Sequence, residues 1–311
     1  ERFDHDLDQP LLNGNYFFTD YIYPKVRQNG GRILLEGIDG DTVLSYGFGH
    51  LIELGRRLEF FSAFKNYQKL CKGRKRKPTV YDFLKSIIIK PNLPRNVNQF
   101  LRKIFGKDTW EERNLKRLKK SYHPKNLQSL IDQTYGYKRG IFINSQQNHL
   151  NEINSNIWEY IFSFSYEIAC SYGIEVRLPY FNQDLIELSL SLPSNLKFSD
   201  GVDRYIFREA MKGIVPLSIL KKTSKADLSS LGRNDLRKHS KTLMNYFSSN
   251  SYKLYGVVDK IYIDKCLKFL TNDKNGHLYT SVLADLYAIE KWLSKEGFDI
   301  DIEEFSKCSK I

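Results

Sequence analysis

The sequence lacks the features that several protein classes require. Its 311 residues include only four cysteines, which lie far apart and form no CxxC pair. This argues against a zinc ribbon or a disulfide scaffold and favours a reducing, cytoplasmic setting. No apolar run reaches the ~18 residues of a membrane helix, and the six histidines form no HxxxH or HxH pair that would suggest a transition-metal site. The composition, 41% hydrophobic and 27% charged, is that of a globular chain with one or two domains.

Acidic residues are scarce in one segment only. Residues 60–126 carry 19 Lys and Arg against four Asp and Glu, whereas the rest of the chain carries 29 basic and 32 acidic residues. The formal net charge of +12 therefore belongs to this segment. Its interleaved aromatics would allow nucleic-acid binding by phosphate neutralisation and base stacking. Their helical spacing, without any nucleic-acid motif, favours instead a set of solvated helices around an ordinary core.

A short apolar run ends in a turn of glycine and aspartate. The run Arg32–Glu36 predicts a strand, and a helix follows the turn. Gly37 and Gly40 would let the backbone approach a phosphate, while Asp39 and Asp41 could offer carboxylate oxygens to Mg²⁺. The local pattern alone favours a plainer interpretation, in which this is an ordinary strand-to-helix turn and Asp41 caps the helix.

Most of the remaining chain has helical spacing interrupted by glycine, proline and asparagine. An aromatic helix precedes Gly30, an extended run follows Gly173, Asn182 is placed to cap a helix, and Asp200-Gly201 marks a turn. Apolar repeats predict one helix over positions 43–58, one long helix over 150–172, and others over 183–192, 203–212 and much of 252–298.

The stretch from Lys221 to Asp227 has neither helical nor strand periodicity. A lysine in such a loop, here Lys225, can neutralise the charge that develops on a leaving pyrophosphate. The local pattern by itself favours a solvated surface loop.

Three stretches carry a joint resemblance in order and spacing. The first runs from Asp8-Gln9-Pro10 to the turn at 37–41, the second from Gly173 to Phe181 and on to Leu192-Pro193, and the third from Asp200-Gly201 to Lys225. They are similar to the segments DxP … SGxGxDE, GIExRxPFLD … LP and DG … KxxLR … P … K of one family. The chain thus resembles, over about residues 8–232, the synthetase half of glutamine-dependent asparagine synthetases, whose relatives include β-lactam synthetase and the lasso-peptide cyclases.

This resemblance implies an α/β domain of the ATP pyrophosphatase type, like the adenine-nucleotide α-hydrolases, mostly helical with a short parallel sheet. It implies that ATP adenylates aspartate or another carboxylate, and that glutamine-derived ammonia or another amine attacks the product. Asp41 matches the family's Mg²⁺-pyrophosphate aspartate. Lys225 lies in the loop of the catalytic lysine, and Tyr46 lies near a family tyrosine.

The departures from the family pattern favour a diverged branch. Ile38 stands where asparagine synthetases have a glutamate that assists the amine, Asp39 follows it, and Thr42 replaces an acidic residue. A peptide or antibiotic amide synthetase is therefore an alternative to an aspartate-specific enzyme.

Two family parts are missing from the given sequence. These are the glutaminase domain with its N-terminal cysteine, and the SGGxDS-type ATP loop; both precede residue 8 in family order. We therefore expect residues 1–311 to be a domain without its N-terminal ATP loop, and residues 60–126 to be a basic helical insertion facing an acidic partner or carrier. The contrasting hypothesis is a truncated, non-catalytic remnant that binds a partner or a nucleic acid.

Overall fold

The computed structural model describes residues 19–45, 47–105, 112, 115, 117–123, 126–137, 142–223, 238–248, 253–271 and 277–295. Two small sheets lie among its helices. Strand β1 (Ile33–Leu35) pairs in parallel with β2 (Glu175–Arg177), and β3 (Phe198–Ser199) pairs antiparallel with β4 (Val202–Asp203). The predicted α/β class, mostly helical with a short parallel sheet, is confirmed to this extent.

The α-helices, in chain order, are α1 (Thr19–Gln28), α2 (Gly40–Leu44), α3 (Gly49–Arg56), α4 (Phe60–Gly73), α5 (Val80–Phe83), α6 (Arg95–Ile104), α7 (Leu127–Tyr135), α8 (Ser145–Ile153), α9 (Ile157–Ser171), α10 (Gln183–Ser191), α11 (Ser194–Lys197), α12 (Tyr205–Ala210), α13 (Leu217–Leu220), α14 (Ser240–Ser248), α15 (Lys260–Thr271) and α16 (His277–Lys295). A π-helical turn spans Leu84–Ile89, and 3-10 turns span Lys90–Asn92, Lys120–Tyr122, Pro179–Phe181 and Lys253–Gly256. None of the described helices combines the length and apolar character needed to cross a bilayer.

Several breaks fall where the sequence predicts them. Gly30 and Gly173 follow α1 and α9 with φ angles of 79° and 64°, the left-handed conformation that glycine adopts without strain. The side chain of Asn182 accepts a hydrogen bond from the N–H of Leu185 and so caps α10.

The predicted single helix after the turn is wrong: two short helices, α2 and α3, lie there. The chain turns between them because Ser45 and Gly47 have φ angles of 56° and 68°. A side chain at Gly47 would place its Cβ 2.7 Å from the carbonyl carbon of Lys197, so the two backbones meet at this point. Leu58, predicted to belong to the apolar stripe, lies beyond α3 and is 74% exposed.

The long helix predicted over 150–172 is also two helices, α8 and α9, with residues 154–156 between them. The backbone N–H of Asn154 is bonded to carbonyls of α8, and the indole N–H of Trp158 reaches back 2.7 Å to the carbonyl of Glu152. The apolar repeat continues across this break, so helical spacing alone could not locate it.

The apolar residues form three clusters. One lies between α1, α9 and β2 and comprises Tyr23, Phe164, Ile168, Ala169, Ile174 and Val176. Another joins α14, α15 and α16. The third joins α3 to the basic segment and contains Leu54, Ala63 and Phe83, with Phe64 and Tyr67 packed against them.

The aromatics of the basic segment are only partly core residues. Phe83 is buried among its neighbours, as the helical spacing predicts. However, Phe61 is 84% exposed and Phe100 62% exposed. The expectation of an ordinary core therefore holds for one part of these aromatics, and the others face solvent among lysines and arginines.

The core beneath the parallel strands should be sensitive to one truncation. Phe164 is fully buried, so Phe164→Ala leaves a cavity and should lower the free energy of unfolding by roughly 3–5 kcal/mol. Tyr166→Ala on the same helix is the matched control, because Tyr166 is exposed. Urea unfolding measures both. Equal effects of the two substitutions would contradict this packing.

Candidate functional site

The two parallel strands bring two connecting segments to one edge of the sheet. The turn at 37–41 follows β1, and the 3-10 turn Pro179–Phe181 follows β2. The N–H of Glu36 donates to the carbonyl of Arg177 at 2.9 Å and continues the ladder beyond β1. The carboxyl edge of parallel strands is where open α/β sheets bind ligands. The turn at 37–41 is therefore the candidate site.

Asp39, rather than Asp41, is the residue that begins α2. Its φ and ψ of 51° and 23° are left-handed, a conformation that aspartate tolerates better than most residues. Its carbonyl accepts hydrogen bonds from the N–H groups of Thr42 at 2.8 Å and Val43 at 3.3 Å. The interpretation of Asp41 as the cap is thus wrong. Asp41 lies within the first turn and is half-buried.

Tyr180 closes one side of the turn. A Cβ added at Gly40 would lie 2.7 Å from the Tyr180 ring, and one at Gly37 would lie 3.7 Å from it. The absence of a side chain at Gly40 therefore permits the ring to pack here. The other side of Tyr180 meets Phe207 of α12, with ring centroids 6.2 Å apart.

Arg208, next to Phe207 on α12, holds the chain that leads toward Lys225. Its guanidinium donates to the carboxylate of Asp203 at 2.8 Å, and also to the carbonyls of Leu220 at 2.8 Å and Lys222 at 3.0 Å. Asp203 is buried, so this pair is shielded from solvent. Of the predicted site residues, the structure brings Gly37, Asp39, Gly40 and Asp41 together in one turn, whereas Tyr46 and Lys225 lie outside the described residues.

A buried polar pair supports the other end of α2. The Nε2 atom of His149 lies 2.9 Å from the carbonyl oxygen of Thr42 and 3.0 Å from that of Val43. Carbonyl oxygens only accept, so Nε2 carries the hydrogen and Nδ1 is an acceptor. The Nζ atom of Lys197 is 3.1 Å from this Nδ1 and donates to it.

A carboxylate network lies beside this pair. Glu53 of α3 accepts hydrogen bonds from the hydroxyl of Ser194 at 2.6 Å and from the N–H of Ser145 at 2.8 Å. The Ser194 hydroxyl also lies 3.0 Å from Nδ1 of His50. Burial alone would raise the pKa of Glu53, but these hydrogen bonds outweigh it and lower the pKa. Glu53 thus ties α3, α8 and α11 together as a charged group.

The donor set of the turn suits a magnesium ion better than a transition metal. Across the described ranges, no three His, Cys, Asp or Glu side chains cluster as a metal cage. Mg²⁺ is commonly held by one or two carboxylates, with substrate phosphates and waters completing the shell. Asp39 and Asp41 supply this number of carboxylates.

No signal in the sequence pointed to His149 and Lys197 as partners in one region. A single histidine or lysine is usually a surface residue, and these positions lie more than 100 residues from the turn they support. Tyr180 and Arg208 lie inside the second and third stretches that carry the family resemblance, and this was the available signal for both residues.

Comparison with known proteins gives a family match. A family model described as asparagine synthase matches residues 1–294. The chain belongs to the asparagine synthase family. It is also similar to the glutamine-hydrolyzing asparagine synthetase 1 of Bacillus subtilis, with 25% identity over 113 residues. That similarity covers 36% of this chain and 18% of the relative. No solved structure matches the chain.

Within this member of the asparagine synthase family, the buried pair has unusual electrostatics. Burial lowers the pKa of Lys197 to about 8, although the nearby charge of Glu53 opposes the shift. Burial, together with the charge of Lys197, lowers the pKa of His149 to about 4. At neutral pH the imidazole is therefore neutral and the ammonium is charged, as their hydrogen bonds require.

The charge of Lys197 should produce a measurable pH dependence of stability. The pKa of Lys197 in the folded protein, about 8, is below its ordinary 10.5. The unfolded chain therefore binds more protons between these values, and the free energy of unfolding should rise with pH in this window, by at most about 3 kcal/mol. Lys197→Met should lack this rise, and Lys241→Met on the exposed face of α14 should keep it. Urea titrations from pH 7 to 10 test the difference; identical pH profiles for all three proteins would contradict it.

Proposed function

We propose that this protein is an ATP-dependent ligase that forms amide bonds. A carboxylate substrate is first adenylated, with release of pyrophosphate, and ammonia or an amine then attacks the acyl-adenylate. We further propose that the described helices and parallel strands belong to a nucleotide-binding domain of the adenine-nucleotide α-hydrolase type.

One observation carries the proposal. The turn that contains Asp39 and Asp41 lies at the carboxyl edge of the parallel pair, beside the segment that follows β2. Both segments come from stretches that resemble the synthetase half, and family membership supports the same chemistry. The Asp41 carboxylate at this edge is suited to a magnesium–phosphate complex, and the Asp39 carboxylate is left for a separate role.

In the first step, a carboxylate oxygen attacks the α-phosphorus of ATP, and the bond from that phosphorus to the pyrophosphate oxygen breaks. Asp41 is proposed to hold Mg²⁺ on the pyrophosphate. Bound Mg²⁺ supplies charge neutralisation of this leaving group. Lys225 is proposed to donate hydrogen bonds to the same oxygens. It follows, in the chain, the segment that Arg208 holds through the carbonyls of Leu220 and Lys222.

In the second step, the amine nitrogen attacks the acyl carbon, AMP leaves with the electron pair of the broken C–O bond, and the amine loses a proton. Asp39 is proposed to accept this proton, because it is the carboxylate next to Ile38 in the turn. Tyr46 is proposed to contact the substrates from the segment that follows α2. Gly37 and Gly40 would allow the nucleotide to approach the backbone.

The substrates are proposed by class. The acyl donor is aspartate or another carboxylate, and Ile38 in place of an acidic residue favours a donor other than aspartate. The nitrogen donor is glutamine-derived ammonia or an amine. We place the reaction in the cytoplasm, in keeping with the unpaired cysteines Cys71, Cys170 and Cys266 of the described chain.

The basic segment 60–126 is proposed to be an insertion that contacts an acidic partner or carrier protein. Its described part presents exposed aromatics, such as Phe61 and Phe100, among lysines and arginines. Aromatic and arginine side chains are enriched at protein interfaces, and a basic surface is complementary to an acidic partner.

The carboxylate of Asp41 should be essential for adenylation. Asp41→Asn keeps the size of the side chain but removes its charge, so carboxylate-dependent exchange of pyrophosphate into ATP should fall by about 100-fold or more. Asp184→Asn on α10 is the matched control, because Asp184 is exposed and also lies in a first helical turn. The assay uses the complete gene product with a panel of carboxylates. Undiminished exchange in Asp41→Asn would exclude the assigned role.

Asp39 allows the effects of backbone and carboxylate to be separated. Asp39→Gly accepts the left-handed conformation and should leave the urea midpoint nearly unchanged, whereas Asp39→Ala should lower stability by roughly 1 kcal/mol. If the carboxylate takes the amine proton, Asp39→Gly should keep pyrophosphate exchange and lose amide formation. A variant that forms amide at the normal rate would show that this carboxylate has no part in the second step.

A further inference from the structure

The pair of Lys197 and His149 has no part in the reaction proposed above. Lys197 is 2% exposed and His149 is also buried, so neither meets a substrate in solution. Their hydrogen bonds nevertheless lead directly to α2, which begins at the candidate turn. The arrangement is therefore a candidate for indirect control of the site.

Lys197 contacts the segment after the turn in two separate ways. Through His149, it reaches the carbonyls of Thr42 and Val43, which lie in the last turn of α2, where helix carbonyls need partners from outside the helix. Through its backbone, it lies against Gly47, where no Cβ would fit. One residue thus supports both the end of α2 and the bend that follows.

A buried ammonium contributes little to the stability of the fold. Within the described part of the chain, Lys197 forms no ion pair, and neither its hydrogen bond to a neutral imidazole nor the nearby charge of Glu53 offsets the loss of water. An apolar side chain of similar length would fill the same space with less penalty. The ammonium instead sets the tautomer of His149. It donates to Nδ1, so the imidazole hydrogen is on Nε2 and faces the carbonyls of α2.

We propose that Lys197 is a positioning residue, which acts through the tautomer and orientation of His149 to hold α2 and so to fix the Asp39–Asp41 turn. The proposal of a catalytic effect depends on the function proposed above. The positioning itself does not depend on it, because it concerns the order of the turn in the free protein.

Three variants of the complete gene product test the two links in series. Lys197→Met removes the ammonium, His149→Leu removes the donor to α2, and His149→Gln keeps an amide N–H in its place. In Lys197→Met and His149→Leu we expect kcat of carboxylate-dependent pyrophosphate exchange to fall by about 10- to 100-fold, with KM for the carboxylate little changed. His149→Gln should recover most of the rate.

Combining Lys197→Met with His149→Leu shows whether Lys197 acts through His149 or whether the two residues contribute independently to the rate. If Lys197 acts through His149, Lys197→Met should lower the rate no further in a His149→Leu background. Lys197→Met should also keep or raise the urea midpoint. A merely structural role predicts a lower midpoint and losses that multiply in the double variant, and either result would overturn the proposal.

Amide hydrogen exchange provides a readout that does not need activity. Without ligands, amides of residues 42–48 should exchange about tenfold faster in Lys197→Met than in the wild type, while those of α16 keep their protection. Lys241→Met should change neither. If the wild type shows no pyrophosphate exchange with any carboxylate, the proposed function fails and this measurement still decides the positioning. Unchanged exchange at 42–48 would refute it.

Discussion

The parallel pairing of β1 with β2 is the constraint on which the rest of this structure depends. Three residues of each strand, 33–35 and 175–177, set the register between distant parts of the chain. Because the strands run in the same direction, the segments that follow them meet at one edge, and the Asp39–Asp41 turn comes to lie beside Tyr180. The core of Phe164 and its neighbours packs beneath the pair. The strands are short, so this core and the adjoining helices must supply most of the stability that holds the edge in place.

Around that edge, packing and polar contacts have separate tasks. Tyr180 meets Gly40 and Phe207 and so joins the turn to α12. Arg208 then extends the connection through a buried ion pair and two backbone carbonyls. Below the turn, the contacts are instead polar and buried. In such surroundings a charged group is disfavoured unless it is well paired. This division suits the adenylation proposed above, which needs a turn that is rigid at its base.

The sequence permitted accurate prediction where the cause of a structure is local. Gly30 and Gly173 end helices through their own conformational freedom, and Asn182 caps a helix three residues away. Prediction failed where the cause lies far along the chain. The bend at Gly47 depends on the backbone near residue 197, and the partnership of His149 with Lys197 depends on three elements meeting in space. Periodicity likewise could not show which aromatics of the basic segment would face solvent, because amphipathic spacing does not reveal whether a helix has a partner.

The separation of the two parallel strands has a consequence for how the chain is made. About 140 residues must be synthesised after β1 before β2 exists to pair with it, which at about 5–20 residues per second takes roughly 7–30 seconds. During this time α1 and β1 lack the partners that bury Tyr23 and Leu34. Such non-local pairing makes folding slow. The nascent chain therefore exposes these apolar residues during that time, and the edge that carries the candidate site cannot form before residues 175–177 have been synthesised.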